Sequence, residues 1–143
     1  MMYAFYGADN CDCKPIVDNI TIKNPKGLYD VLQGAWKKET CAPRMQDRWS
    51  IDNKTLGQCS ITAFLVQDLF GGSVYGVKLP DGNFHCFNVI GKSLFDLTSE
   101  QFQNEVLTYT LDYPQSRENH FKKEEKYQRY LLLKKEVLNT IQK

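Results

Sequence analysis

Gly57-Gln58-Cys59-Ser60-Ile61-Thr62-Ala63-Phe64-Leu65-Val66-Gln67-Asp68-Leu69-Phe70, closed by Gly71-Gly72, decides how the rest of the chain is read. Thr55 and Gly57 supply turn or cap chemistry before the run, and the glycine pair stops it. Between these stops almost every residue is apolar. That is the pattern of a helix buried on most sides, not of a surface helix with one wet face. Its first turn carries Cys59. A thiol there feels unpaired backbone N–H groups and the positive end of the helix dipole, which favour the thiolate. The same N–H groups can hold a developing oxyanion.

Downstream, the period changes from helix to strand. Ser73 to Leu79 reads as a strand, and Pro80-Asp81-Gly82-Asn83 as a turn. Phe84 to Ile90 is a second strand, Gly91-Lys92 a tight turn, and Ser93 to Thr98 a third strand, together an antiparallel meander. Thr98 or Ser99 then caps a short helix with Glu100 in its first turn. Leu111 to Asn119, with Pro114, reads as a loop. In the last segment Tyr130, Leu133, Val137 and Ile141 recur at helical spacing, so residues 120–142 form a C-terminal amphipathic helix docked on the core.

Upstream, Asn24-Pro25 is an N-cap followed by proline at the first helical position. Leu28, Val31, Leu32, Ala35 and Trp36 mark an amphipathic helix ending near Thr40. Ala42 to Lys54 is an irregular approach to Cys59; the segment between Pro43 and Asn53 and the loop around Pro114 are expected to shape a cleft. Cys41 reads as a small packing residue. Residues 1–23 read as an irregular N-terminal extension in which Asn19 to Lys23 forms a short strand. Cys11 and Cys13 lack the spacing of a zinc knuckle and read as free thiols.

The 143 residues fit one domain of class α+β. A net charge of +1 points to neither nucleic acid nor an anionic membrane, and no run is long enough to span a bilayer. Five cysteines without a leader-like start suggest free thiols in a reducing cytoplasm. No residue pattern requires a cofactor.

A thiolate nucleophile needs a base, and the base an orienting group. His120, among Arg117, Glu118, Lys122 and Lys123, reads as a solvated surface residue. His85 opens the second strand. With Gly91-Lys92 as a two-residue hairpin loop, Ile90 pairs with Ser93, Val89 with Leu94, Asn88 with Phe95 and Phe87 with Asp96. His85, Phe87 and Asp96 then share a face, and Asp96 is the diagonal neighbour of His85. Asn88 and Cys86 point the other way, and Cys86 reads as a core residue. Cys59, His85 and Asp96 form the candidate triad for an amide, ester or thioester. Two other readings stay open: a binding module with Cys59 sealed in the core, and a metal site on the same three residues.

With these residues assembled, the chain resembles papain-like cysteine hydrolases in the wide sense that includes transglutaminase-like and NlpC/P60-like proteins. Gly57-Gln58-Cys59-Ser60-Ile61-Thr62-Ala63, Gln67-Asp68, Gly71-Gly72, His85, Asn88 and Asp96-Leu97-Thr98 more closely resemble the bacterial YunG-like family. Ala35-Trp36 and Trp49 also fit, over residues 28–138. The resemblance implies a papain-like core, a buried nucleophile helix on an antiparallel sheet, and a small-molecule or peptide-like acyl substrate. Papain-like enzymes carry an oxyanion-hole glutamine upstream of the nucleophile, where this chain has Asn53. Gln58 adjoins Cys59 instead, and either donates through its side chain or caps the helix. Trp49 either lines the cleft or anchors the core.

Overall fold

The structure is a computed structural model that describes residues 3–143; Met1 and Met2 lie outside the described residues. Three strands form an antiparallel meander in the order β1 (Ser73–Lys78), β2 (Phe84–Ile90), β3 (Ser93–Phe95). Helix α1 covers Pro25–Ala35, α2 covers Cys59–Phe70, α3 covers Arg117–Phe121 and α4 covers Glu124–Ile141. The architecture is α+β, with α2 between the sheet and α4.

Helix α2 forms where the apolar run predicts. Nine of its residues are buried, from Ser60 to Phe70. Gly57 precedes it at φ +71°, and a Cβ there would meet Cys41 Sγ at 2.6 Å and the Ala42 amide at 2.9 Å. Only glycine satisfies both conditions. The entry to α2 is thereby clamped against residues 41–42, with Ala42 N–H donating to Gly57 O at 3.0 Å.

The first helix ends earlier than its periodicity suggests. Asn24 caps α1 by accepting from Gly27 N–H, and Pro25 stands at its first position. Trp36 then leaves helical geometry, because its indole enters the core and donates to Thr62 Oγ1 at 2.9 Å. Lys37 and Thr40 close a separate 3-10 turn over Lys38–Thr40. Another 3-10 segment, Pro43–Arg48, replaces part of the stretch read as irregular. Cys41 is buried, as a packing residue should be.

The hairpin register agrees with the sequence reading: Asn88 faces Phe95, Val89 faces Leu94 and Ile90 faces Ser93. Strand β3 stops at Phe95 rather than Thr98, because Asp96 changes partner. Its N–H donates to Tyr6 O at 2.9 Å, an antiparallel bridge to the N-terminal segment. That segment is no appendage. Phe5, Ala8 and Cys11 belong to the core cluster, and Ile16 N–H donates to Leu69 O at 2.8 Å. The strand expected over Asn19 to Lys23 is a single bridge, Ile20 to Gln142, where the chain meets the end of α4.

The stretch read as a loop at Leu111 to Asn119 does more than connect. Gly76 N–H donates to Tyr113 O and Gln115 N–H to Val74 O, so it lies along the free edge of β1. Ser116 caps α3, which begins inside the expected loop. The C-terminal helix starts at Glu124 and buries Tyr130, Leu133, Val137 and Ile141 as its spacing requires. Arg117 ties α3 to α2 and α4: it pairs with Asp68 at 2.9 Å and donates to the Tyr130 hydroxyl at 3.1 Å. Among the described residues, no helix is long and apolar enough to cross a membrane.

Candidate functional site

Strand alternation divides the work of β2 between its faces. Cys86 and Asn88 face α2, and Asn88 Nδ2 donates to Ala63 O at 2.9 Å, fixing helix against sheet. His85 and Phe87 lie on the other face, under Phe102 and Tyr109 respectively. His85 is 1% exposed.

His85 Nε2–H donates to Asp96 Oδ2 at 2.5 Å. Asp96 is held in turn. Tyr109 O–H donates to the same oxygen at 2.7 Å, while Thr98 N–H and Oγ1–H donate to Oδ1 at 3.1 and 3.2 Å. With Nε2 fixed on the carboxylate, Nδ1 is the nitrogen left for Cys59. Burial disfavours the imidazolium, but the charge and hydrogen bond of Asp96, followed by the Cys59 sulfur, outweigh it and raise His85 to about 10.

Cys59 moves the opposite way. Its thiol is held well below the ordinary value, chiefly by a hydrogen bond from Cys86 and then by the hydrogen bond and charge of His85, against the cost of burial. Cys86 is pushed well above its ordinary value by the same contact and stays a protonated donor. These shifts favour a thiolate at Cys59 beside an imidazolium at His85, backed by the Asp96 carboxylate. The α2 N-terminus adds to it. Among the described residues no side chain caps this helix, and its first bond runs from Thr62 N–H to Gln58 O. The earlier N–H groups are left to face whatever binds at Cys59.

Cys59 and His85 line a cleft of about 950 Å3. One wall is the 42–45 turn and the other is 112–116 with α3 and the start of α4; the loop around Pro114 lines the cleft as expected, whereas of the segment between Pro43 and Asn53 only Pro43, Arg44 and Met45 do. Three expected site residues lie elsewhere. Gln58 is fully buried and spends its Nε2 on Lys37 O at 3.0 Å, so its side chain neither caps α2 nor donates into the cleft. Asn53 sits in a tight turn with Ser50 and does not line the cleft. Trp49 donates its Nε1–H to Lys54 O at 2.9 Å and anchors that turn instead.

His120 is not the solvated residue its charged neighbours suggest. It is half-buried in the cleft wall, its ring 5.2 Å from that of Phe64. Lys126 Nζ–H donates to its Nδ1 and its Nε2–H donates to Gln115 Oε1, both at 2.8 Å. Burial and the Lys126 charge lower it to about 4, which keeps it neutral. Cys86, Tyr109, Thr98 and the His120–Lys126 pair are the members that sequence reasoning missed. Only Thr98, two residues after Asp96 in Asp-x-Thr, leaves a local signal, because such a residue donates back to the carboxylate.

Among the described residues no group of three or more His, Cys, Asp and Glu side chains is placed to hold a metal ion. Both Asp96 oxygens are already engaged by hydrogen-bond donors, which disfavours the metal reading of the triad. Cys11 and Cys13 are free thiols. Cys11 is buried, donates to Ala8 O at 3.3 Å and is raised by burial to about 11.

Fold and site together define an α+β protein with a small antiparallel sheet, carrying a thiol at the start of a core helix beside a buried histidine–carboxylate pair. The family model described as YunG protein matches residues 24–142, and the chain belongs to that family. A relative in Bacillus subtilis (strain 168), the uncharacterized protein YunG, is 33% identical over 100 residues, covering 68% of this chain and 80% of its own length. No solved structure matches.

Proposed function

We propose that the protein is a cysteine-dependent hydrolase or acyltransferase with a papain-like core, acting on an amide, ester or thioester. The observation that carries this reading is the polarised series Cys59, His85, Asp96 at the wall of an open cleft. A buried histidine raised to about 10 beside a cysteine lowered well below its ordinary range supports an activated nucleophile over two satisfied core residues.

In this mechanism the Cys59 thiolate attacks the carbonyl carbon and a C–S bond forms. The carbonyl electron pair moves to oxygen, and backbone N–H groups at the start of α2 hold the oxyanion. Gln58 plays no part there, since its amide is committed to Lys37. His85 gives its Nδ1 proton to the leaving amine, alcohol or thiol as the C–N, C–O or C–S bond breaks. The neutral imidazole then takes a proton from water, or from an acceptor amine, which attacks the thioester and releases Cys59. Asp96 keeps the proton-bearing Nε2 in place through both steps, and Tyr109 and Thr98 keep Asp96 in place.

The test is acyl-enzyme trapping with a small activated ester, followed by peptide mass mapping. The expected adduct is on Cys59, absent in Cys59→Ala and slow to form in His85→Ala. An adduct spread over Cys13, Cys41 and Cys59 alike would sink the proposal and leave a binding module.

A further inference from the structure

The cleft wall formed by α3 and the start of α4 carries a pair that the acyl-transfer steps do not use. Lys126 and His120 both line the cavity, and Lys126 Nζ donates to His120 Nδ1 at 2.8 Å. The histidine is locked as an acceptor at Nδ1, because its Nε2–H is committed to Gln115 Oε1. It therefore holds the ammonium by one proton and adds no charge. The other two N–H groups of Lys126 have no carboxylate partner among the described residues.

The two cleft arginines are answered locally, and Lys123 is exposed to solvent. Arg129 pairs with Glu125 at 2.7 Å and donates to Thr40 O, and Arg44 lies 3.7 Å from Asp81. Lys126 alone is half-buried, positioned by a neutral partner and left without a carboxylate partner among the described residues. The Cys59 charge reaches it across the cleft. A half-buried ammonium costs desolvation that a structural role would repay with a carboxylate. Here the missing carboxylate is the ligand's to bring.

We infer that Lys126, oriented by His120, is the specificity-determining cation of the cleft and that the acyl substrate carries an anionic group, a carboxylate or a phosphate, close to its scissile carbonyl. This rests on the acyl-transfer reading for the word substrate, but the anion site stands on the Lys126–His120–cavity geometry. Lys126 touches the bound group and not the reacting atoms. His120 is a positioning residue.

Two alkylating agents of similar size and opposite charge character test it. Iodoacetate carries a carboxylate where iodoacetamide has an amide. Wild-type Cys59 is expected to react with iodoacetate in a saturable manner and faster than with iodoacetamide, the reverse of a thiolate repelling an anion. In Lys126→Met the iodoacetate-to-iodoacetamide ratio should drop about tenfold, and Lys126→Arg should restore most of it. His120→Gln should weaken saturation by iodoacetate. Acetate or inorganic phosphate should protect Cys59 in wild type, and whichever protects better names the anion.

A ratio below one that is unchanged in Lys126→Met overturns the inference and leaves the nucleophile reading intact. Slow labelling by both agents brings down the nucleophile reading instead. The anion site is then read in Cys59→Ala by histidine NMR: acetate or phosphate should shift His120 saturably, and the shift should vanish with Lys126→Met. Absence of that shift overturns the inference.

Discussion

Replacing Asp96 with asparagine should change the pH dependence of Cys59 more than its speed. Asp96 accepts from His85 Nε2–H, Tyr109 O–H and two donors of Thr98. An asparagine oxygen can keep the Thr98 bonds, so its NH2 must face His85 Nε2. The imidazole then accepts at Nε2 and carries its proton on Nδ1, turned towards Cys59, where it cannot take the thiol proton. The lost charge matters as much. His85 stands at about 10 rather than 6.5, a preference of about 5 kcal/mol for the imidazolium, of which Asp96 is the largest favourable source. Without it burial prevails at His85, and Cys59 keeps the Cys86 hydrogen bond but loses the His85 charge, so its thiol rises from its lowered position.

The assay is iodoacetamide alkylation of Cys59 between pH 6 and 8, read by peptide mass. In wild type the thiolate is already formed and the rate should be nearly flat across that range. In Asp96→Asn it should climb with pH, by up to about tenfold per unit, the limiting slope of a thiol titrating above the window. The slope is the cleaner readout. A higher thiol pKa also gives a more nucleophilic thiolate, which offsets part of any rate loss at a single pH. A flat profile in Asp96→Asn would refute the reasoning, because the carboxylate would not be what polarises the pair.

Other outcomes follow from the same geometry. Cys86→Ala removes the hydrogen bond that contributes most to lowering Cys59, so the alkylation profile should shift to higher pH while the fold survives the loss of one sulfur. Urea midpoints measured against pH should separate the two members of the ion pair. His85, raised in the fold, contributes stability that is complete below pH 6.5 and lost as pH rises towards 10. Cys59, lowered in the fold, contributes stability that is complete above 9.0 and lost as pH falls. Between 6.5 and 9.0 the two cancel, so wild type should be level there while Cys59→Ala declines. Gly57→Ala should cost about 1–3 kcal/mol or more in urea denaturation, since a side chain at φ +71° meets Cys41 Sγ and the Ala42 amide.

The fold was legible where one local pattern sufficed. The α2 run is apolar on most sides, and Gly91-Lys92 with strict alternation set the β2–β3 register, which put Asp96 beside His85. Alternation also assigned Cys86 to the opposite face correctly. It could not say that the start of α2 lies where the Cys59 sulfur meets both Cys86 and His85. Tyr109 reaches Asp96 from an irregular stretch, and no periodicity predicts such a contact. His120 and Lys126 stand among charged residues, which locally reads as solvent-facing. The docking of α3 and α4 on α2, through Phe64 and the Asp68–Arg117 pair, carries them into the cleft wall. Gln58 and Asn53 were judged by distance in sequence from Cys59, whereas backbone carbonyls and turns claimed them first.

The charge on His85 is the most direct test of the whole account. Histidine nitrogen NMR of wild-type protein from pH 6 to 11 reads it without any substrate. Both ring nitrogens of His85 should stay protonated through neutral pH and titrate near 10, while His120 stays neutral throughout. A neutral His85 at pH 7 would mean that Cys59 holds its proton, and the activated-nucleophile account would fall.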